Sequence, residues 1–72
     1  MDFPHANEVF AGRHLTAEDT RESYGELRYI TVGKLNDRMV VIVWTPRGNS
    51  RRIISMRKAN ERERKRYSDR MD

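Results

Sequence analysis

The stretch "RMVVIVWTPRGNSRRIISMRK", residues 38–58, decides the fold. It opens with Met39-Val40-Val41-Ile42-Val43-Trp44, which is apolar without interruption and rich in β-branched side chains. A transmembrane helix needs about 20 apolar residues, so this run is far too short to be one. With no polar alternation, it reads as a central strand covered on both faces. The next residues, "TPRGNS", are turn formers, with Pro46 and Gly48 as punctuation. "RRIISM" then resumes a strand pattern. Upstream, "LRYITVGKL" puts Ile30 and Val32 on one face of a third strand, and Asn36-Asp37 supplies hairpin chemistry before residue 38. The expected core is a three-stranded antiparallel meander, residues 27–35, 38–45 and 51–58, with the middle strand central. A short strand at 13–16 can extend it at the edge.

Helical signals flank the meander. In "DFPHANEVFAG", Pro4 suits the first turn, and Phe3, Ala6, Val9 and Phe10 share a face. Gly12 suits the exit. At the other end, Asn60 and Glu63 stand at the N-cap and N3 spacing of a capping box, which predicts a helix to about residue 70. Its only apolar side chains are Tyr67 and Met71, so it can dock lightly but cannot bury a full stripe. The class is α+β: a small antiparallel meander of three to four strands between an N-terminal and a C-terminal helix.

At 72 residues the chain is read as one domain, 1–72. A domain of this size buries only about 60% of its unfolded surface, so a staple is expected. With no cysteine, disulfides and thiolate metal sites are excluded and a reducing, cytoplasmic setting is expected. His5 and His14 lack the neighbours of a zinc site. Neither a metal nor an organic cofactor is expected, and no membrane partner. That leaves a protein partner as the staple.

Charge is uneven. Residues 1–46 hold 5 basic and 7 acidic side chains; residues 47–70 hold 10 basic and 3 acidic; Asp72 brings the total to +4. A localised cationic block calls for an anionic partner. Helical pairs such as Glu61–Lys65 can solvate the arginines of the last helix. They do not reach Arg47, Arg51, Arg52, Arg57 and Lys58. Regular alternation along the third strand would put Ile53, Ser55 and Arg57 on one face and Arg52, Ile54 and Met56 on the other. A cationic sheet running into a cationic helix, with Tyr24, Tyr29 and Tyr67 for stacking, has the chemistry of a single-strand RNA site. No phosphate-cradling glycine loop, His-x-Glu zinc motif or nucleophile elbow is present. Glu22 and Glu26 read as a solvated loop pair. RNA cleavage needs no such triad, because the 2′-hydroxyl is itself the nucleophile and fixed cations can stabilise the phosphate.

"SYGELRYITVGKLNDRMVVIVWTPRGNSRRIISMRKANERERKRY" closely resembles the core of the BrnT toxin family. The shared features are Tyr24-Gly25-Glu26 with Arg28, then Gly33, the apolar strand into Thr45-Pro46-Arg47-Gly48, and "RIISMRKA" before the helix. The resemblance spans about residues 3–67. It implies a RelE/ParE-like fold, endoribonuclease action that arrests growth, and a BrnA-type antitoxin partner whose DNA-binding domain takes the pair to its operator. Typical members begin with a further strand and helix ending in Lys-His-Gly, and this chain starts after them. The runner-up reading is therefore a non-catalytic remnant or binding module that keeps the basic surface. The expected site gathers Arg47, Arg52, Arg57, Lys58 and Arg62 at one RNA-phosphate site where the third strand meets the helix, with Arg28 in reach. Arg57 matches the family's position and stabilises the scissile phosphate. Tyr67 is the candidate to stack or exchange protons, with Lys58 as the alternative; the plainer reading of Tyr67, and the favoured one, is packing of the helix on the sheet.

Overall fold

The structure is a computed structural model that describes residues 5–20 and 25–71, with side chains to residue 68. Expectations resting on Phe3, Pro4, Glu22 and Tyr24, and on the side chains of Arg70 and Met71, lie outside the described residues. The element order is α1 (Ala6–Ala11), β1 (His14–Glu18), β2 (Tyr29–Leu35), β3 (Arg38–Arg47), β4 (Ser50–Lys58) and α2 (Glu61–Met71). The strands form one antiparallel sheet in the order β1-β2-β3-β4. The meander is present, and the optional edge strand is β1.

β3 is apolar from Met39 to Trp44 because a helix lies against each face of the sheet. Val40 and Ile42 pack with Ala6 and Val9 of α1, bordered by Phe10, Leu35, Trp44, Ile53 and Met56. Met39 and Val41 pack on the other face with Val32 and Ala59, bordered by Leu15, Ile30 and Tyr67 of α2. With six residues, α1 is too short to be stable alone. Its seat is Gly33, where an added Cβ would overlap the Cγ1 methyl of Val9.

Both hairpins are two-residue turns. Asn36 (φ +53°) and Asp37 (φ +65°) both occupy the left-handed region, the requirement of a type I′ turn. In the second turn Gly48 takes φ +56°, as the first central residue of a type II′ turn does. β3 runs through Pro46 to Arg47 instead of ending at Thr45. Pro46 is tolerated because it pairs with Arg51 one step from the turn-flanking pair Arg47–Ser50. At that step a backbone N–H points away from β4, and β2, whose last partner is Trp44, has already ended there. β2 begins at Tyr29, not Leu27, and β1 covers His14–Glu18 instead of 13–16.

One correction reaches the site. The expected alternation along β4 fails, because the register shifts between Val43 and Trp44: Ser55 faces Val43, while Ile53 faces Trp44. From Arg47–Ser50 to Val40–Lys58, β3 advances seven residues and β4 eight, so Ile54 is the extra residue of a β-bulge. Cross-strand partners share a face. Ile53 and Met56 therefore both lie on the α1 face with Trp44 and Ile42, while Arg52 joins Ser55 and Arg57 on the α2 face, across from Thr45, Val43 and Val41. The bulge keeps two apolar side chains in the core.

Candidate functional site

α2 begins as its sequence dictates. The Glu63 N–H donates to Asn60 Oδ1 (2.8 Å) and the Asn60 N–H to Glu63 Oε1 (2.9 Å), the reciprocal capping box. Ala59 is buried, and its N–H donates to Met39 O (2.9 Å), so the chain leaves the sheet immediately before the cap. This fixes Glu63 beside the end of β4. There the Arg57 guanidinium forks onto it, Nη1 to Oε1 at 2.7 Å and Nη2 to Oε2 at 2.8 Å. That hydrogen bonding is the largest reason the Glu63 carboxyl is lowered from 4.5 to about 2; burial opposes it, and the Asn60 N–H and the charges of Arg57 and Arg66 assist. Arg57 thus braces the sheet to the helix cap.

The other expected residues divide between the faces. Arg52 is exposed on the α2 face, opposite Thr45. Arg47 ends β3 in the same alternating row, and its carbonyl accepts from Ser50 Oγ (3.1 Å). Along the edge of this face run Arg47, Arg52 and Arg57, with Ser50 and Ser55 between them. Arg28 lies one residue before Tyr29, whose partner is Trp44, so the same register carries it to Thr45 on this face. Its Nε donates to Glu26 Oε2 (3.1 Å) and its carbonyl accepts from the Asp19 N–H (2.8 Å). Tyr67 is half-buried against the Val32, Met39, Val41 and Ala59 cluster, which is the packing role. Arg62 is exposed on the first turn of α2, near Asn60, Glu61 and Lys65. Lys58 is the outlier. Its partner is Val40, so it belongs to the α1 face, apart from Arg52 and Arg57.

Sequence reading passed over two residues here, Thr45 and Asp19, and counted a third, Arg51, with the cationic block. Thr45, 4% exposed, donates from Oγ1 to Leu27 O and holds the start of β2 to β3. Asp19, 5% exposed, is a buried acid that follows β1; nothing in its polar surroundings distinguishes it from its solvated neighbours. Arg51 is on the α1 face, its guanidinium carbon 3.9 Å from the centre of the Phe10 ring and 5.4 Å from that of Trp44. It covers aromatic surface and does not join the other cations.

On the α1 face Trp44 is pinned by Nε1–H donating to Thr31 Oγ1 (2.8 Å), which also bonds Thr16 Oγ1 (2.8 Å). Among the described residues no buried side-chain N or O lacks a partner, no three His, Asp or Glu side chains are grouped to hold a metal, and no helix is long and apolar enough to cross a membrane. Chemically, the α2 face offers a line of guanidinium donors and serine hydroxyls at one edge of the sheet.

Neither the curated proteins nor the solved structures contain a match to this chain. One family model matches residues 1–63, that of the ribonuclease toxin BrnT of type II toxin–antitoxin systems. That match spans the whole sheet and reaches the cap of α2, so the chain belongs to the BrnT family of ribonuclease toxins.

Proposed function

We propose that this chain binds and cleaves single-stranded RNA on the α2 face, along Arg47, Arg52 and Arg57, with Arg28 in the adjoining row. The observation that carries the reading is the bulge at Ile54, which brings Arg52 and Arg57 to one face. In the proposed reaction the ribose 2′-oxygen attacks the adjacent phosphorus and loses its proton. The bond from phosphorus to the 5′-oxygen breaks, and that oxygen takes up a proton. A cyclic phosphate and a free 5′-hydroxyl result. Arg52 stabilises the charge that builds on the phosphoryl oxygens, and Arg57 joins it when its fork turns from Glu63 to the phosphate. Tyr67, at the edge of the same face, stacks or exchanges protons, and Arg62 steers the strand. The fold is RelE-like on this reading. A BrnA-type antitoxin neutralises the toxin and takes the pair to operator DNA.

Affinity for a single-stranded RNA should fall with salt by a log–log slope of about 0.7 per phosphate neutralised. Arg52→Ala should shallow that slope by one contact, and Arg57→Ala should abolish cleavage while binding drops by one contact. Wild type that binds RNA without salt dependence would sink the reading.

The bidentate pair with Glu63 favours a second reading, a binding module that cleaves nothing, because it already occupies both arms of the Arg57 fork. Glu63→Gln separates the two. A catalytic Arg57 is unmasked, and cleavage rises. A purely bracing Arg57 leaves RNA affinity unchanged and only the melting temperature falls.

A further inference from the structure

The α1 helix covers the β2 side of its face and leaves the far end of β3 and β4 open. There a concavity of about 490 Å³ is lined by Leu35, Asn36, Arg38, Val40, Met56, Arg57 and Lys58. Its floor is apolar: Val40 is buried, and Leu35 and Met56 are half-buried. Its rim carries Arg38, Lys58 and Arg57; among the described residues no carboxylate lines it, and Asp37 lies on the far side of Arg38 and Lys58. Lys58 is there because the register pairs it with Val40, away from the cationic row of the other face.

We infer that this groove is a second interaction surface, the seat of an acidic amphipathic helix of the antitoxin. The inference rests on the antitoxin partnership proposed above and adds the place and chemistry of the contact. A helix laid in such a groove sets apolar side chains at i, i+3, i+4 and i+7 on the floor and meets the three cations with its carboxylates. A second copy of this chain fits poorly, because it carries +4 overall and would bring cations to a cationic rim. RNA would leave the Val40 and Met56 floor unused. Arg57 reaches both surfaces: it lines the groove and braces α2 through Glu63. A carboxylate brought into the groove competes with Glu63 for that fork, so a partner on the α1 face acts on the row of the α2 face.

The test uses the full chain and the purified product of the antitoxin frame beside its gene, with affinity measured by calorimetry. Lys58→Glu and Met56→Glu should each weaken antitoxin binding at least tenfold. Arg52→Glu, on the opposite face, should leave it within twofold and should weaken RNA binding instead. Lys58 is exposed at a strand end, so Lys58→Glu folds even where Met56→Glu does not, and a melt of each variant checks this. No antitoxin binding by wild type overturns the inference, as does loss on Arg52→Glu with none on Lys58→Glu. So does a concentration-dependent dimer, seen by sedimentation, that Lys58→Glu dissolves while antitoxin affinity holds. RNA binding is scored separately. Its absence in wild type would remove the RNA reading while leaving the groove result intact.

Discussion

Glu63 is the residue on which most of this surface turns. It caps α2, holds Arg57 and titrates at about 2 instead of 4.5. A carboxyl lowered on folding stabilises the fold fully above its unfolded value, and that contribution is lost as pH falls through the folded value. The window is therefore between about 4.5 and 2. Arg57 is half-exposed, so solvent screens the pair. Gln at this position still accepts the Asn60 N–H and keeps the cap, so Glu63→Gln removes the charge pair alone and should cost about 1 kcal/mol at pH 7. Urea melts from pH 6 to pH 2 should show wild type losing its advantage over Glu63→Gln as the pH drops. An advantage unchanged at pH 2 would refute the pairing. Gly33 is decisive on the other face, where close approach leaves no room for a Cβ beneath Val9. Gly33→Ala should cost about 1–3 kcal/mol by overpacking. Trp44, the single tryptophan, sits beside Phe10 in an edge-on contact at 5.7 Å and reports displacement of α1 by fluorescence. A variant with wild-type stability and emission would mean that α1 is not seated on Gly33.

At the scale of elements, the β3–β4 hairpin carries the functional geometry. Its turn pairs Arg47 with Ser50 and its far end pairs Val40 with Lys58, and the bulge at Ile54 absorbs the difference. Deleting Ile54 leaves all of those pairs available and removes the bulge. The expected result is a folded protein that loses no more than about 1.5 kcal/mol, the burial of a half-exposed aliphatic side chain. Its RNA affinity should keep the wild-type salt slope, because Arg52 and Arg57 still share a face. Circular dichroism and binding across salt check both. A deletion that folds but flattens the salt slope would mean that the bulge orients the arginines in addition to setting their face. The strands, both turns and the capping box were legible in advance because each rests on neighbours in sequence: β-branched runs, Asn-Asp and Gly at positive φ, and Asn60 three residues before Glu63. The extension of β3 through Pro46 was not, because a proline reads as a stop unless one knows that β2 has already ended beside it.

For the whole molecule, two thin apolar clusters on either side of one sheet must hold 72 residues. A core of this size supplies about 3–5 kcal/mol. An antitoxin at 100 times its Kd adds about 2.7 kcal/mol by binding only the folded form. At about 4–8 °C per kcal/mol for a small domain, the melting temperature should rise by about 10–20 °C on adding the antitoxin. Calorimetry with and without the partner measures this. An isolated chain with a high melting point that the partner leaves unmoved would remove the case for dependence.

By itself the sequence determined the meander, the two-residue turn at Asn36-Asp37, the place of the second turn, the capped final helix and the concentration of positive charge after residue 46. Each follows from local conformational preference or from composition. Only the tertiary structure decided which cations share a face. A strand's alternation holds only while its register does, and register is settled by where two strands meet at both ends. The extra residue had to go somewhere between Arg47–Ser50 and Val40–Lys58. Placing it at Ile54 packs Ile53 and Met56 together against the α1 cluster, which sends Arg52 to the side of Arg57 and leaves Lys58 on the other. The fork between Arg57 and Glu63 is likewise a meeting of a strand end and a helix cap, created when α2 docks Tyr67 against the sheet.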